Sequence, residues 1–259
     1  MANLTSIILF QGESQVLNAI ESVLFSNEII ILHDCTSGEE NLKILKKYNS
    51  RIKTIHQKMS SFSNQRNFGI THSKNEWIFF LDADEVVSSK LQNIILKSLD
   101  SKKYNGYMMR RVDFMWGKKI SKGELLNIYL LRLAKKNFGK WSGMVHETWV
   151  GKGKIGKISE PILHSPHQSI GEFLYEINKY TSIRSEELVE EKSKINMLSL
   201  LFYPLSKFVF NYFFKLGFLE GNRGFIISVM MSFHSFLARG KAFDLAHKNK
   251  SKLLVKFFS

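Results

Sequence analysis

Trp77-Ile78-Phe79-Phe80-Leu81-Asp82-Ala83-Asp84-Glu85 decides how this 259-residue chain folds. Five apolar residues run without interruption and then give way to acids. Such a run suits a strand buried on both faces, as in a parallel sheet covered by helices above and below. Residues 64–73 before it have helical spacing, and residues 51–56 read as a strand. Thr36 and Glu39 form a capping box ahead of Leu42, Ile44, Leu45 and Tyr48. Further back, the EIIIL run from Glu28 to Leu32 is a strand ending at His33 and Asp34. Ser14 is placed to cap a helix whose Val16, Leu17, Ile20, Val23 and Leu24 share a face. Leu4 to Phe10 is the first strand, and Ser88 opens a helix over residues 91–99. Strands alternating with helices predict an α/β fold with a mostly parallel sheet.

From about Gly106 the texture changes. GYMMRRVDFMW and NIYLLRLAKK, joined by Gly/Lys-rich turns, read as antiparallel strands, and helical periodicity dominates from Ser169. The expected boundaries fall near 100 and 168, giving an α/β half over 1–100, a half of mixed strands over 101–168, and a helical appendage over 169–259.

Composition narrows the function classes. Hydrophobic residues make up 44% and charged residues 23%, with 3 Pro and 16 Gly, which excludes collagen-like and broadly disordered chains. The single Cys35 excludes an intramolecular disulfide and a cysteine-based zinc site, fits a reducing compartment, and reads as a small residue in a turn. MANLTSIILF lacks the basic region and the length of a signal peptide, so export is not expected. The formal net charge of +14 points to an anionic partner.

In open α/β sheets, ligands bind beyond the carboxyl ends of the strands. Asp34 ends one strand, and Asp82 and Asp84 end another. In an extended D-x-D both carboxylates point the same way and can face one hard cation, while Ala83 packs back. Mg²⁺ or Mn²⁺ suits such ligands and leaves positions open for diphosphate oxygens. A polar turn after a strand is the plain alternative. Gln65-Arg66-Asn67, on the preceding helix, offers a guanidinium to phosphate or base; Arg66 alone also reads as an ordinary surface arginine. Farther along, Gly143-Met144-Val145-His146-Glu147 carries an acid that reads equally as a general base or as an exposed glutamate beside a structural histidine.

Taken together, AIESVLFSNEIIILHD, SFSNQRNFGITHSKNEWIFFLDADEVVS, YLLRLAKKNFGKWSGMVHE, Ile162-Leu163-His164 and LGFLEGNRGFIISVMMSFHSF resemble the family 2 glycosyltransferases of GT-A fold, and within them the lipopolysaccharide-core enzymes of the WaaE/KdtX type. The resemblance implies a Rossmann-like sheet and transfer with inversion from a nucleotide-diphosphate sugar, a UDP-hexose, to a core or other envelope glycan. It implies that Asp34 reads the base or ribose, that Arg66 lies beside the nucleotide, and that Asp82 and Asp84 hold the metal and the diphosphate. It favours Glu147 as the base, with His146 orienting substrate or tuning it, and His164 as a third metal ligand. Trp141 is either a sugar-stacking ring or core. Departures from the family pattern are Phe10-Gln11-Gly12-Glu13 after the first strand and Asp34-Cys35-Thr36-Ser37-Gly38 after the second.

Residues 195–259 hold nine Lys or Arg against two acids and twelve of the 21 Phe. No window gives the ~18 uninterrupted apolar residues of a transmembrane helix. Apolar blocks flanked by cations instead predict interfacial helices on an anionic membrane surface; packing on the catalytic part or a dimer is the alternative. The expected location is the cytoplasmic face of the bacterial inner membrane, where a lipid-linked acceptor is reached. Two rival functions have a partial footing in the sequence. Gly151-Lys152-Gly153-Lys154-Ile155-Gly156-Lys157 is a near match to a P-loop, but Ile158 replaces the required hydroxyl and no helix clearly follows. A nucleic-acid binder would need a basic stripe with stacking aromatics, and no such motif is present.

Overall fold

The computed structural model describes residues 3–35, 52–58, 60–123, 128–143, 147–166 and 169–257, with only the backbone of 249–257. The predicted capping box at Thr36 and Glu39, the helix through Tyr48, and His146 lie outside the described residues. The chain divides into two compact units, residues 1–113 with 127–165 and residues 114–126 with 166–259.

The first unit is built on β1 (Leu4–Phe10), β2 (Glu28–His33), β3 (Ile52–His56) and β4 (Trp77–Asp82), which pair in parallel in the order β3-β2-β1-β4. Past β4 the sheet continues through β8 (Ile128–Lys135), β6 (Gly106–Met115), β11 (Ile155–His164) and β5 (Glu85–Val86). β8 runs antiparallel to both β4 and β6, as the sequence predicts; β11 lies parallel to β6. A hairpin of β9 (Gly139–Ser142) and β10 (Thr148–Gly151) forms a separate small sheet. Of the P-loop-like lysines, Lys152 and Lys154 fall on the turn from β10 into β11 and Lys157 on β11 itself, so that segment opens no helix.

Burial on both faces explains the apolar runs. Every residue of β1 is buried. On one face Ile8, Phe10, Ile29, Ile31, Phe79 and Leu81 pack with residues of α1 (Val16–Ser22) and α3 (Ser89–Leu99). On the other face Ile7, Leu9, Ile30, Leu32, Ile78 and Phe80 pack with Ile70 of α2 (Phe62–His72), Trp141 and Trp149. Side-chain alternation therefore distributes one continuous run between two cores.

Ser61 and Ser88 cap α2 and α3 through their side chains. Ser14 does not act as predicted. α1 begins at Val16 after Gln15, with no side-chain cap, and its seven residues end before Leu24, which is exposed. Cys35 is exposed in a turn.

The second unit contains α4 (Ile170–Glu190), α5 (Met197–Val209), a π-helical turn (Phe210–Phe214), a 3₁₀ turn (Gly217–Glu220), α6 (Asn222–Phe257) and the short β7 (Lys118–Lys119) paired to the end of β6. Met115, Ile120, Phe173, Ile177, Ile227 and Met230 form its core. Glu220 accepts from the backbone N–H of Ser121 at 2.9 Å and from its hydroxyl at 2.8 Å. A Cβ on Gly224 would lie 1.9 Å from the Gly217 carbonyl oxygen, so the start of α6 meets the 3₁₀ turn backbone to backbone.

Candidate active site

Register brings the functional side chains to one rim. β1 pairs with both β2 and β4, so Phe10 stands opposite His33 and Leu9 opposite Asp82 at their carboxyl ends. After Asp82 the chain makes a turn at Ala83–Asp84 and re-enters the sheet as β5. The extended alternation expected of Asp82-Ala83-Asp84 is therefore broken, although Ala83 does pack inward. Each carboxylate acquires its own partners, because the turn sends one back toward β8 and the other toward β11.

Asp82 lies between two arginines. Its Oδ1 accepts from Arg66 at 2.7 Å and its Oδ2 from Arg132 at 2.6 Å. Arg132, on β8, also donates to Glu85 at 2.7 Å, and the other Glu85 oxygen accepts from the Asp82 backbone N–H at 3.0 Å. Burial alone would raise the Asp82 carboxyl, but Arg132 and Arg66 reverse this and hold it well below the usual carboxylate range. Glu85, fully buried, is pushed up by its desolvation despite Arg132. Glu13, in the post-β1 loop, is raised by burial, partly offset by backbone hydrogen bonds, with smaller upward contributions from the charges of Asp84 and Asp82.

Arg66 extends the network to Glu147. One terminal nitrogen binds Asp82, and the other donates to Glu147 Oε1. Its guanidinium lies over the Trp141 ring, 4.6 Å from the centroid. Around it, the side chain of Asn67 clasps the Trp141 backbone, accepting from N–H at 2.8 Å and donating to C=O at 2.9 Å, while the Ser63 hydroxyl donates to the Gly143 carbonyl. These bonds explain why α2 buries Ser63 and Arg66. They tie α2 to the loop that carries the base candidate. Trp141 itself is core, stacked on Trp149 at 5.7 Å with Phe80 edge-on to both rings.

His164 meets Asp84. The register of β11 places it opposite Asp113 of β6 and Glu85 of β5. Its Nε2 lies 3.1 Å from Asp84 and its Nδ1 2.7 Å from Asp113. Burial would lower the imidazole, but the bonds to Asp113 and Asp84 carry it up to about 9. Among the described residues no group of three or more His, Cys, Asp or Glu side chains is placed to hold a metal ion. The Asp84–His164 pair nonetheless suits a divalent cation, because Asp113 orients the imidazole from behind in the way outer carboxylates orient metal-binding histidines. Asp82 suits it less, since both its oxygens are taken by arginine.

Asp34 is buried at the end of β2, two strands from Asp82 in the order β2-β1-β4. Beside it, His33 and His56 approach with their Nδ1 atoms 3.1 Å apart. The sequence reading missed Arg132, Glu85 and Glu13. An arginine inside the apolar strand YLLRLA was the available signal, because a cation there must be paired to be buried.

A mixed sheet of this order, with acids at the carboxyl end of its fourth strand, is an α/β fold whose ligand site lies at that rim. Residues 6–154 match the family model "Glycosyl transferase family 2", and the chain belongs to that family. It is 24% identical over 260 residues to an uncharacterized glycosyltransferase of Rickettsia typhi, spanning 95% of this chain and 88% of that one. It is also 24% identical over 245 residues to the lipopolysaccharide core biosynthesis glycosyltransferase LpsC of Rhizobium meliloti, covering 92% and 90%. Among solved structures, S. aureus TarS (residues 1–349) shares the fold with a TM-score of 0.51 and 13% identity, covering 93% of this chain and 88% of that one.

Proposed function

We propose that the enzyme transfers a sugar, with inversion, from a nucleotide-diphosphate donor to a lipopolysaccharide-core or related envelope glycan, and that the donor is a UDP-hexose. The observation that carries this reading is the single guanidinium of Arg66 joining Asp82, on the donor side, to Glu147. An inverting transfer needs one base opposite a leaving diphosphate and no covalent nucleophile. Glu147 takes the proton of the acceptor hydroxyl as its oxygen bonds to the anomeric carbon. The bond from that carbon to the diphosphate oxygen breaks, and the electron pair leaves with the nucleotide. Asp34 contacts the base or ribose, Arg66 lies beside the nucleotide, and Asp82 fixes both arginines at the rim. His146 orients the acceptor. Asp84 and His164 would hold Mg²⁺ or Mn²⁺, whose charge offsets that of the departing diphosphate.

The second unit supports attachment to an anionic membrane surface on the cytoplasmic side of the inner membrane. Residues 197–214 form an 18-residue helical run with a mean hydropathy of 1.2, long and apolar enough by composition to cross a membrane, and only 6% of it is buried. Pro204 and Lys207 interrupt it, and Arg or Lys at 194, 207, 215 and 223 flank the exposed aromatics, which favours an interfacial position over a span. Residues 1–100 then serve the donor, 101–168 the acceptor and 169–259 the membrane.

The test is transfer from a panel of nucleotide sugars, with and without Mg²⁺ or Mn²⁺. Asp84→Ala is expected to abolish the metal-dependent part of donor binding, and Glu147→Gln to lose transfer while still binding nucleotide. Full turnover in both variants overturns the assignment.

A further inference from the structure

We infer that Arg66 is a latch: in the donor-free enzyme it holds the base Glu147 in an ion pair, and the donor's diphosphate must draw the guanidinium away before that carboxylate can accept a proton. The inference rests on the reading of Glu147 as base and of Arg66 as nucleotide-facing.

A carboxylate oxygen already accepting from a guanidinium is a poor base, because the bond occupies the lone pair that must receive the proton. Glu147 is in this condition, with Oε1 engaged by Arg66. Asp82 does not depend on Arg66 in the same way. Arg132 donates to both its oxygens, at 2.6 and 3.2 Å, so Arg66 can withdraw without leaving a buried carboxylate uncompensated. The Arg66 Nε is buried with no hydrogen-bond partner, which leaves part of the fork unsatisfied in the latched arrangement. A diphosphate offers that fork more charge and more acceptor oxygens than one glutamate oxygen does. Arrival of donor thus releases the base, and the base competes with donor for the same cation. An acceptor hydroxyl meets a competent Glu147 only once donor is in place.

The competition is measurable as donor affinity. If Glu147 holds part of the Arg66 population, the apparent dissociation constant of nucleotide is the intrinsic one divided by the fraction left free, and removing the charge at 147 removes the penalty. The wild-type chain and Glu147→Gln are titrated calorimetrically with UDP, GDP, dTDP and CMP in Mg²⁺. For the nucleotide that binds, Glu147→Gln is expected to bind on the order of 5-fold tighter. Glu147→Ser, which removes the charge with a different side chain, is expected to shift affinity in the same direction. In an Arg66→Lys background the Glu147 substitution is expected to change affinity little, since the shared fork is gone. Unchanged or weaker binding in both Glu147 variants overturns the latch. Loss of transfer with unchanged affinity overturns the latch alone; retained transfer overturns the base assignment; and failure of every nucleotide to bind the wild type overturns the donor reading beneath both.

Discussion

Arg132 shows what one residue does at the rim. Its side chain is 3% exposed, and it bonds to Asp82 and to Glu85, which is fully buried. Two carboxylates this close repel each other, and the arginine between them makes their coexistence tolerable. Arg132→Met is therefore expected to destabilise the fold by about 3–5 kcal/mol, the cost of stranding buried charge. Urea unfolding measures this, and a loss under about 1 kcal/mol would contradict the bridging role. Arg132→Lys is expected to fall between, since an ammonium offers no planar fork to two acids. At this scale the sequence was legible for the groups that carry chemistry and opaque for those that hold them. Asp82, Asp84 and His164 stand out because acids and imidazole at strand ends are conspicuous. Arg132 reaches Asp82 and Glu85 from 50 and 47 residues away in the chain, and spacing carries no record of such pairs.

Among the elements, α2 does most to place the site, and its identity depends on how closely it approaches the sheet. A Cβ on Gly69 would come 2.8 Å from Leu32 Cδ1 and 3.0 Å from Ile7 Cγ2, so the helix lies nearly in contact with β1 and β2 at that point. This proximity sets the reach of Arg66, one turn earlier, to Asp82 and Glu147. Gly69→Leu is expected to force α2 outward, to destabilise by at least ~1–3 kcal/mol through overpacking, and to lower transfer more than nucleotide binding. Thermal unfolding alongside initial rates checks it; wild-type stability and rate would show that the contact is loose. Strands were readable in the sequence because burial on both faces leaves unbroken runs such as EIIIL and WIFFL. The helix-terminal prediction at Ser14 failed because a seven-residue helix closed by the core needs no side-chain cap. The D-x-D alternation failed because the chain turns at Ala83 rather than continuing straight, a choice made by β5 pairing with β11 far along the sequence.

Considered whole, the molecule combines a formal charge of +14 with an exposed apolar stretch at residues 197–214. No residue of α5 is buried, and Met197 and Phe214 are 77% and 74% exposed. An apolar surface of this kind on a globular protein marks a binding face. The full chain is expected to co-sediment with vesicles containing phosphatidylglycerol, to bind pure phosphatidylcholine less, and to be weakened by salt through screening of its cations. Replacing Phe202, Phe213 and Phe214 together by Ser is expected to lower vesicle affinity by at least ~10-fold while leaving nucleotide binding intact. Unaltered partitioning of that variant, with a dimer seen by sedimentation, would assign the face to a second copy instead.

The stacked Trp141–Trp149 pair lies directly beneath Arg66. Indole emission responds to the electric field across the ring, so a cation resting on one of these rings imprints its position on the protein's own fluorescence. If that cation moves when a nucleotide arrives, the enzyme carries a native optical gauge of its loading state, readable in a stopped-flow trace without any attached dye.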